Sequence, residues 1–268
     1  MSLNWLEIEK IAKEWTLEAG EKVKEALHNP IEVKSKSNPH DLVTEVDKKT
    51  EQFFYQKIKQ TFPDHHFLGE EGIAEEGILQ SLDGTVWIID PIDGTMNFVH
   101  QKYNFAISVG VYHNGLGMVG MIYDVMSNEF FHASRDNGAY LNGEELVPVK
   151  ERVLDESIIG VNGKWLVEER NVYQNPLRAL VRDVRSIRSY GSAAIEMAYV
   201  AADRLDGYIS VKLSPWDYAA ALVILKEVGC VASSFAGNEL SLLDSGTVIA
   251  AKPQLHKEII SSYLGEEF

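Results

Sequence analysis

Across residues 105–141 apolar side chains alternate with period two. The turn signals His113-Asn114-Gly115, Ser127-Asn128 and Asp136-Asn137-Gly138 cut that run into successive strands. Strands joined by such short turns pair antiparallel, because a parallel pair needs a crossover of a dozen residues or more. The first half of the chain is therefore expected to hold an antiparallel meander.

Helical spacing surrounds it. Trp5, Ile8, Ala12, Trp15, Ala19, Val23 and Ala26 recur every three or four residues, the stripe of an amphipathic opening helix. Residues 34–40 are polar and end in Asn38-Pro39-His40, a loop signal. Thr44-Glu45-Val46-Asp47 has capping-box character, and Phe53, Phe54 and Ile58 supply the buried face of a second helix up to Pro63. After about residue 145 the texture alternates: strand 158–161, helix 166–184, helix 191–205, strand 207–211, helix 216–228, strand 247–251 and helix 254–264. The expectation is an α+β unit over 1–145 and an α/β unit over 146–268 that closes a shared cleft. No linker, internal repeat or low-complexity segment separates them.

Composition narrows the chemistry. At 268 residues and 45% hydrophobic, the chain has the make-up of a soluble globular enzyme. Its one cysteine, Cys230, rules out an internal disulfide framework and suits a reducing cytoplasm. No apolar run reaches membrane-spanning length, and the amphipathic N-terminal stretch lacks the core of a signal peptide. A formal net charge of −15 without a basic stripe excludes nucleic acid as a bulk-field partner. The same charge repels a phosphorylated substrate: each carboxylate within ~4 Å of a phosphate charge costs roughly 1–4 kcal/mol. An acidic pocket takes a phosphate only with cations between the two.

Such a pocket is written at Asp90-Pro91-Ile92-Asp93-Gly94-Thr95, which follows the strand-like Val86-Trp87-Ile88-Ile89. Pro91 stiffens the turn expected between the two aspartates and donates no hydrogen bond, which frees the Ile92 carbonyl as a third oxygen ligand. Carboxylates with a carbonyl and water suit a hard cation such as magnesium. Gly94 and Thr95 stand where a helix start favours an anion. An isolated Asp-Gly is an ordinary surface turn. The aspartyl-nucleophile signature of haloacid dehalogenase-type phosphatases spaces its aspartates two apart, whereas these are three apart.

Further acids are candidates on weaker local grounds. Glu70 and Glu71, in Gly69-Glu70-Glu71-Gly72, end a short apolar strand. Asp217 opens the 216–228 helix, where N-capping explains it as well as metal binding does. Asp47 and Thr44 fit a helix cap equally well. Gly191-Ser192-Ala193-Ala194 is either a small-residue helix entry or a set of N–H groups facing a ligand. Gly115-Leu116-Gly117-Met118-Val119-Gly120 matches G-x-G-x-x-G, but no helix follows it, so hairpin glycines explain it better.

Together these elements resemble the inositol monophosphatase family of magnesium-dependent, lithium-sensitive sugar-phosphate phosphatases. The likeness rests on Asp41-Leu42-Val43-Thr44-x-x-Asp47, Gly69-Glu70-Glu71, the run from Trp87 to His100, Gly191-Ser192-Ala193-Ala194 and Trp216-Asp217-x-Ala219-Ala220, in that order along nearly the whole chain. The resemblance implies a layered αβαβα sandwich, commonly a homodimer. It implies one magnesium on Glu70, Asp90 and the Ile92 carbonyl, a second on Asp90, Asp93 and Asp217, and a weaker third near Glu70 under the Lys36 loop. It further implies that Thr95, paired with Asp47, activates water, with Glu70 beside them. Asp93, Gly94, Thr95, Asp217 and the Gly191, Ser192 and Ala193 segment would contact a small phosphorylated sugar or polyol. Seven residues before Asp217, animal members carry a substrate-binding glutamate; this chain has Ser210, with Lys212 close by. That departure weakens strict inositol selectivity and keeps fructose 1,6-bisphosphate, NADP and 3′-phosphoadenosine 5′-phosphate as alternatives, with Lys36, Arg188 and Lys212 as the cations to examine. A partner-binding protein without turnover is disfavoured, because every expected acidic ligand is present.

Overall fold

Three separate sets of apolar side chains divide the molecule into five layers. The structure is a computed structural model that describes residues 4–35, 42–73, 81–168 and 172–265. Helix α1 (Trp5–Ala26) starts at an Asn4 cap and buries the stripe from Ile8 to Val23. The ribbon β1 (Val33–Ser35) and β2 (Leu42–Thr44) leads into α2 (Glu45–Thr61), entered through a capping box of Thr44 and Asp47. Then follow β3 (His66–Gly69), β4 (Thr85–Asp93), the short α3 (Thr95–His100), β5 (Ala106–His113), β6 (Leu116–Asp124), β7 (Glu129–Ser134), β8 (Ala139–Leu141) and β9 (Glu144–Glu145). These seven strands form one sheet in sequence order, antiparallel except for β3 beside β4. The meander expected over 105–141 is β5 to β8.

The second half supplies β10 (Ile158–Val161), α4 (Gln174–Asp183), β11 (Ser186–Arg188), α5 (Ala193–Ala201), β12 (Gly207–Leu213), α6 (Pro215–Glu227), β13 (Val231–Ser233), β14 (Gly246–Ala251) and α7 (Pro253–Ile259). Its five-stranded sheet runs β11-β10-β12-β14-β13, with β10 parallel to both of its neighbours.

The layers follow from strand alternation. Trp87, Ile89, Val109 and Met121 face α1 and α2, whereas Val86, Ile88, Ala106 and Ile122 face α5 and α6. Those two helices are apolar on nearly every side, as helices between two sheets must be. Their far side meets Tyr208, Val248 and Ala250, while Ile159, Ile209 and Ile249 pack outward on α4 and α7. The result is the αβαβα sandwich. The Gly-x-Gly-x-x-Gly segment builds it: Asn114 and Gly115 make a hairpin turn with positive φ. A Cβ on Gly120 would lie 2.3 Å from the Ala220 carbonyl oxygen, so α6 packs directly on β6 there.

Several expected boundaries are corrected. The 166–184 helix is a single 3-10 turn at Gly163–Leu166 followed by α4. Pro176 has no N–H for the previous turn, so the helix must start within one turn of it. The 191–205 helix is confined to α5, and Asp203 turns out of it with φ +57°. The closing helix is α7 with a wider π turn at Ile260–Leu264. The 34–40 loop begins as strand β1; its remainder, with Lys36, lies outside the described residues. Among the described residues no helix is long and apolar enough to cross a membrane.

Candidate active site

The acids on β4 are brought together by an irregularity. In a regular strand, residues three apart point to opposite faces. Asp90 pairs with Ser108 and Asp93 with Ala106, so β4 carries one residue more than β5 between those pairs. This bulge at Pro91 and Ile92 turns both aspartates to one side. The stiff turn expected at 90–93 is therefore a bulge inside a strand. Pro91 suits it because it has no ladder hydrogen to lose. The Ile92 N–H left out of the ladder donates to Asp90 Oδ1 at 2.9 Å. Immediately after, Gly94 takes φ +92°, and a Cβ there would lie 3.1 Å from the Gly191 carbonyl oxygen.

Other elements complete the cluster. Carboxylate oxygens of Asp90, Asp93 and Asp217 lie within 4.8 Å of one another. Asp217 sits in the first turn of α6, where its Oδ2 accepts the Ser214 N–H at 2.8 Å. Capping and membership of the cluster thus coexist in one side chain. Glu70 follows β3 and stands close enough to Asp90 for its charge to bear on the Asp90 carboxyl. Burial first, then the charges of Glu70, Asp93 and Asp217, hold the Asp90 carboxyl well above the usual carboxylate range. Burial pushes Asp93 up to about 6, even though it accepts the Ser192 hydroxyl and the Ala194 N–H.

Asp90 and Asp93 thus have neutral donors or other acids as partners, and no basic side chain among the described residues neutralises them. Buried like charges this close either take up protons or hold a cation. An all-oxygen donor set of carboxylates, with the Ile92 carbonyl adjoining, fits a hard dication.

Beside the acids, the Thr95 hydroxyl lies 3.2 Å from Asp47 Oδ1 and 3.1 Å from the Ile92 carbonyl oxygen. Asp47 is fully buried, and its other oxygen accepts the Thr44 N–H at 2.9 Å. Burial raises its pKa against the pull of Thr44, and the Glu70 charge adds to the rise. Helix capping and a position next to Thr95 therefore coexist here too. Gly191, Ser192 and Ala193 reach the same place. Ser192 caps α5 and bonds Asp93, while the segment's preceding carbonyl, that of Tyr190, accepts Asn97 Nδ2 at 2.7 Å. Ser210 is buried on β12, its hydroxyl turned to the Lys212 carbonyl at 3.2 Å. Arg188 is exposed and bonds its own strand, at Ser186 Oγ and the Ile187 carbonyl.

Three residues were missed as parts of the site. Asn97 joins α3 to the 104 and 190 carbonyls at 2.8 and 2.7 Å. Glu51 accepts the N–H groups of Glu71 and Ile73 at 2.7 and 2.9 Å and so pins the loop that carries Glu70. Glu196 does the same for the 190–191 peptides. The signal was legible for both glutamates: each stands on a buried helix face, Glu51 with Val46, Phe54 and Ile58, Glu196 between Ile195 and Met197.

Asp90 and Asp93, buried on β4, stand with the half-buried Asp217 of α6 beside a hydroxyl bonded to Asp47, an arrangement able to hold a dication next to a phosphate ester. The chain belongs to the inositol monophosphatase family, whose model matches residues 4–265. It is 50% identical to the inositol-1-monophosphatase of Bacillus subtilis over 97% of this chain and 98% of that one. It is 35% identical to the fructose-1,6-bisphosphatase/inositol-1-monophosphatase of Thermotoga maritima, covering 85% of this chain and 84% of the relative. A crystal structure of inositol monophosphatase II from Staphylococcus aureus superposes with a TM-score of 0.87 at 40% identity, covering 96% and 93% of the two chains. The protein is accordingly a phosphatase.

Proposed function

We propose that this phosphatase hydrolyses small sugar or polyol monophosphates, inositol monophosphate first among them, with magnesium held by Glu70, Asp90, the Ile92 carbonyl, Asp93 and Asp217. The observation that carries the reading is the cluster of buried Asp90 and Asp93 with half-buried Asp217 beside the Thr95–Asp47 hydrogen bond. Two or three ions are the expected complement. Bound there, the dications would supply Lewis-acid charge to the phosphate and to the departing alkoxide.

The protein's own groups have separable tasks. Thr95 gives its proton toward Asp47, so its oxygen lone pairs are free to accept a proton from the attacking water. Asp47, its proton affinity raised by burial, is the base at the end of that relay. Glu70, beside Asp90, is placed to orient the same water. The water oxygen bonds phosphorus as the ester P–O bond breaks; the water's proton passes to Asp47, and the departing alkoxide takes one from solvent. The N–H groups of Gly94 and Thr95 face the phosphate, while Asp93, Asp217 and the 191–193 segment position the polyol.

Ser210 and the Thermotoga relative support a second substrate class, sugar bisphosphates, at the same site. A cytoplasmic setting accords with the single buried cysteine, and a homodimer is what the family resemblance implies. The test is phosphate release from inositol 1-phosphate, fructose 1,6-bisphosphate, NADP and 3′-phosphoadenosine 5′-phosphate, in magnesium, in chelator and with lithium. Inositol 1-phosphate turnover that needs magnesium is the expected result. Equal release in chelator would overturn the metal assignment, and inertness toward every polyol phosphate would overturn the substrate class.

A further inference from the structure

Glu196 is a carboxylate in a place where burial alone would favour an apolar side chain. It lies in α5 among Ala194, Ile195, Met197 and Ala198, and is 3% exposed. One oxygen, Oε1, accepts the Tyr190 N–H at 2.9 Å and the Gly191 N–H at 3.1 Å. The other, Oε2, is buried with no hydrogen-bond partner. A Cβ on Gly160 would lie 2.5 Å from it, so β10 closes over that oxygen. Leaving a buried oxygen idle carries a cost that the two loop N–H groups must offset.

The same short segment is gripped from the other half of the molecule. Asn97, on α3, donates to the Tyr190 carbonyl at 2.7 Å. One residue beyond Gly191, the Ser192 hydroxyl and then the Ala194 N–H both donate to Asp93 Oδ2. The Asp93 carboxylate is thus oriented by a segment that is itself held by Glu196 on one side and Asn97 on the other.

We propose that Glu196 is a positioning residue: by clasping the 190–191 peptides it fixes the Ser192 and Ala194 donors on Asp93, and thereby couples dication affinity to the segment that receives the substrate. The inference rests on the reading of Asp93 as a metal ligand. Groups that orient a ligand in this way typically change metal affinity by about 10- to 100-fold when removed. Burial pushes Glu196 up to about 7, so a neutral acceptor at this position matches its populated form near neutral pH. Glutamine is therefore the conservative replacement.

The experiment measures magnesium binding to the metal-free full chain by titration calorimetry, alongside the thermal midpoint, KM and kcat. Glu196→Met keeps the length and the apolar contacts but removes the acceptor. It is expected to weaken magnesium binding about tenfold and to raise KM more than it lowers kcat. Glu196→Gln should restore binding to within about twofold of the parent. A Met variant that melts earlier yet binds magnesium with parental affinity would reduce Glu196 to a structural role and overturn the proposal. So would a Gln variant as impaired as the Met one. Should Glu196→Met fail to fold, Asn97→Ala releases the same peptide from the opposite side, and unchanged magnesium affinity there overturns the coupling. Asp90→Asn serves as the control for the site itself: undiminished binding in that variant refutes the metal assignment, whereas lost binding there with parental affinity in Glu196→Met refutes only the clasp.

Discussion

Two groups of carboxylates gather around buried aspartates in this protein, and they are balanced in opposite ways. At the turn after α5, Asp206 is clamped by Lys252 Nζ at 2.6 Å and by Arg152 Nε at 3.0 Å, and its second oxygen takes the Ile158 N–H at 2.7 Å. Lys252, fully buried, also pairs with Asp203. That group carries its own cations and ties the β14–α7 junction to the turn before β12. Asp90 and Asp93 have no such cation among the described residues: their partners are backbone N–H groups, the Ser192 hydroxyl and the neighbouring acids. The difference separates structure from function. An acid cluster neutralised within the chain is costly to break, and one left unneutralised is a candidate functional site.

The sharpest way to break the comparison is to remove one charge from each group. Asp90→Asn is expected to lower phosphate release about a thousandfold, the scale of losing a group that stabilises transition-state charge. The metal-free melting temperature should hold or rise by a few degrees, because a repelled carboxylate has gone. Lys252→Met should do the reverse. With Asp206 and Asp203 deprived of their shared partner, urea unfolding should report a loss of about 3 kcal/mol. Turnover per folded molecule should stay at the parental value. If Lys252→Met cost activity and left stability alone, the two groups would not differ in kind.

Much of this contrast was legible in the chain, and the part that was not has physical causes. The period-two run over 105–141 and the stripe in α1 were readable because each is set by which face is buried. Asp90, Asp93, Asp217 and Glu70 were readable as residue types at fixed spacings. The bulge that turns Asp90 and Asp93 to one side was not, because it is an offset between β4 and β5 and belongs to neither strand alone. The three-residue edge strands β11 and β13 were too short to show a period. The Lys252 group was silent as well: Arg152, Asp203, Asp206 and Lys252 are ordinary charged residues until the fold buries Lys252 and Asp206 and brings the other two against them. Glu51 and Glu196 stood in view as acids on buried helix faces, yet their partners are backbone N–H groups that no side-chain pattern announces.

Proton linkage sharpens the comparison across pH. Asp93 and Glu196 are pushed up to about 6 and about 7 in the fold, and Asp90 is raised further from its usual range. Groups raised above their unfolded values of about 4 contribute most to stability below that pH. Their contribution is lost as pH rises through about 6 to 7. In chelator the protein should therefore lose about 4 kcal/mol or more of unfolding free energy between pH 5 and pH 8, measured in urea. Magnesium should restore most of it at pH 8, and Asp93→Asn should flatten the slope. Equal stability at both values in chelator would mean that the acids are neutralised by the chain itself.

The smallest effect isolates environment from distance. Lys49 Nζ lies 2.6 Å from Glu45 Oε2, as close as Lys252 lies to Asp206, but both of its side chains are solvated on the surface of α2. Water already satisfies each charge there, and ordering two long side chains offsets most of the Coulomb gain. Lys49→Ala should move the melting temperature by about 1 °C or less, and added salt should erase even that. A shift as large as that of Lys252→Met would show that contact length, rather than desolvation, sets the worth of a charge pair in this fold, and the distinction drawn between the two groups would lose its basis.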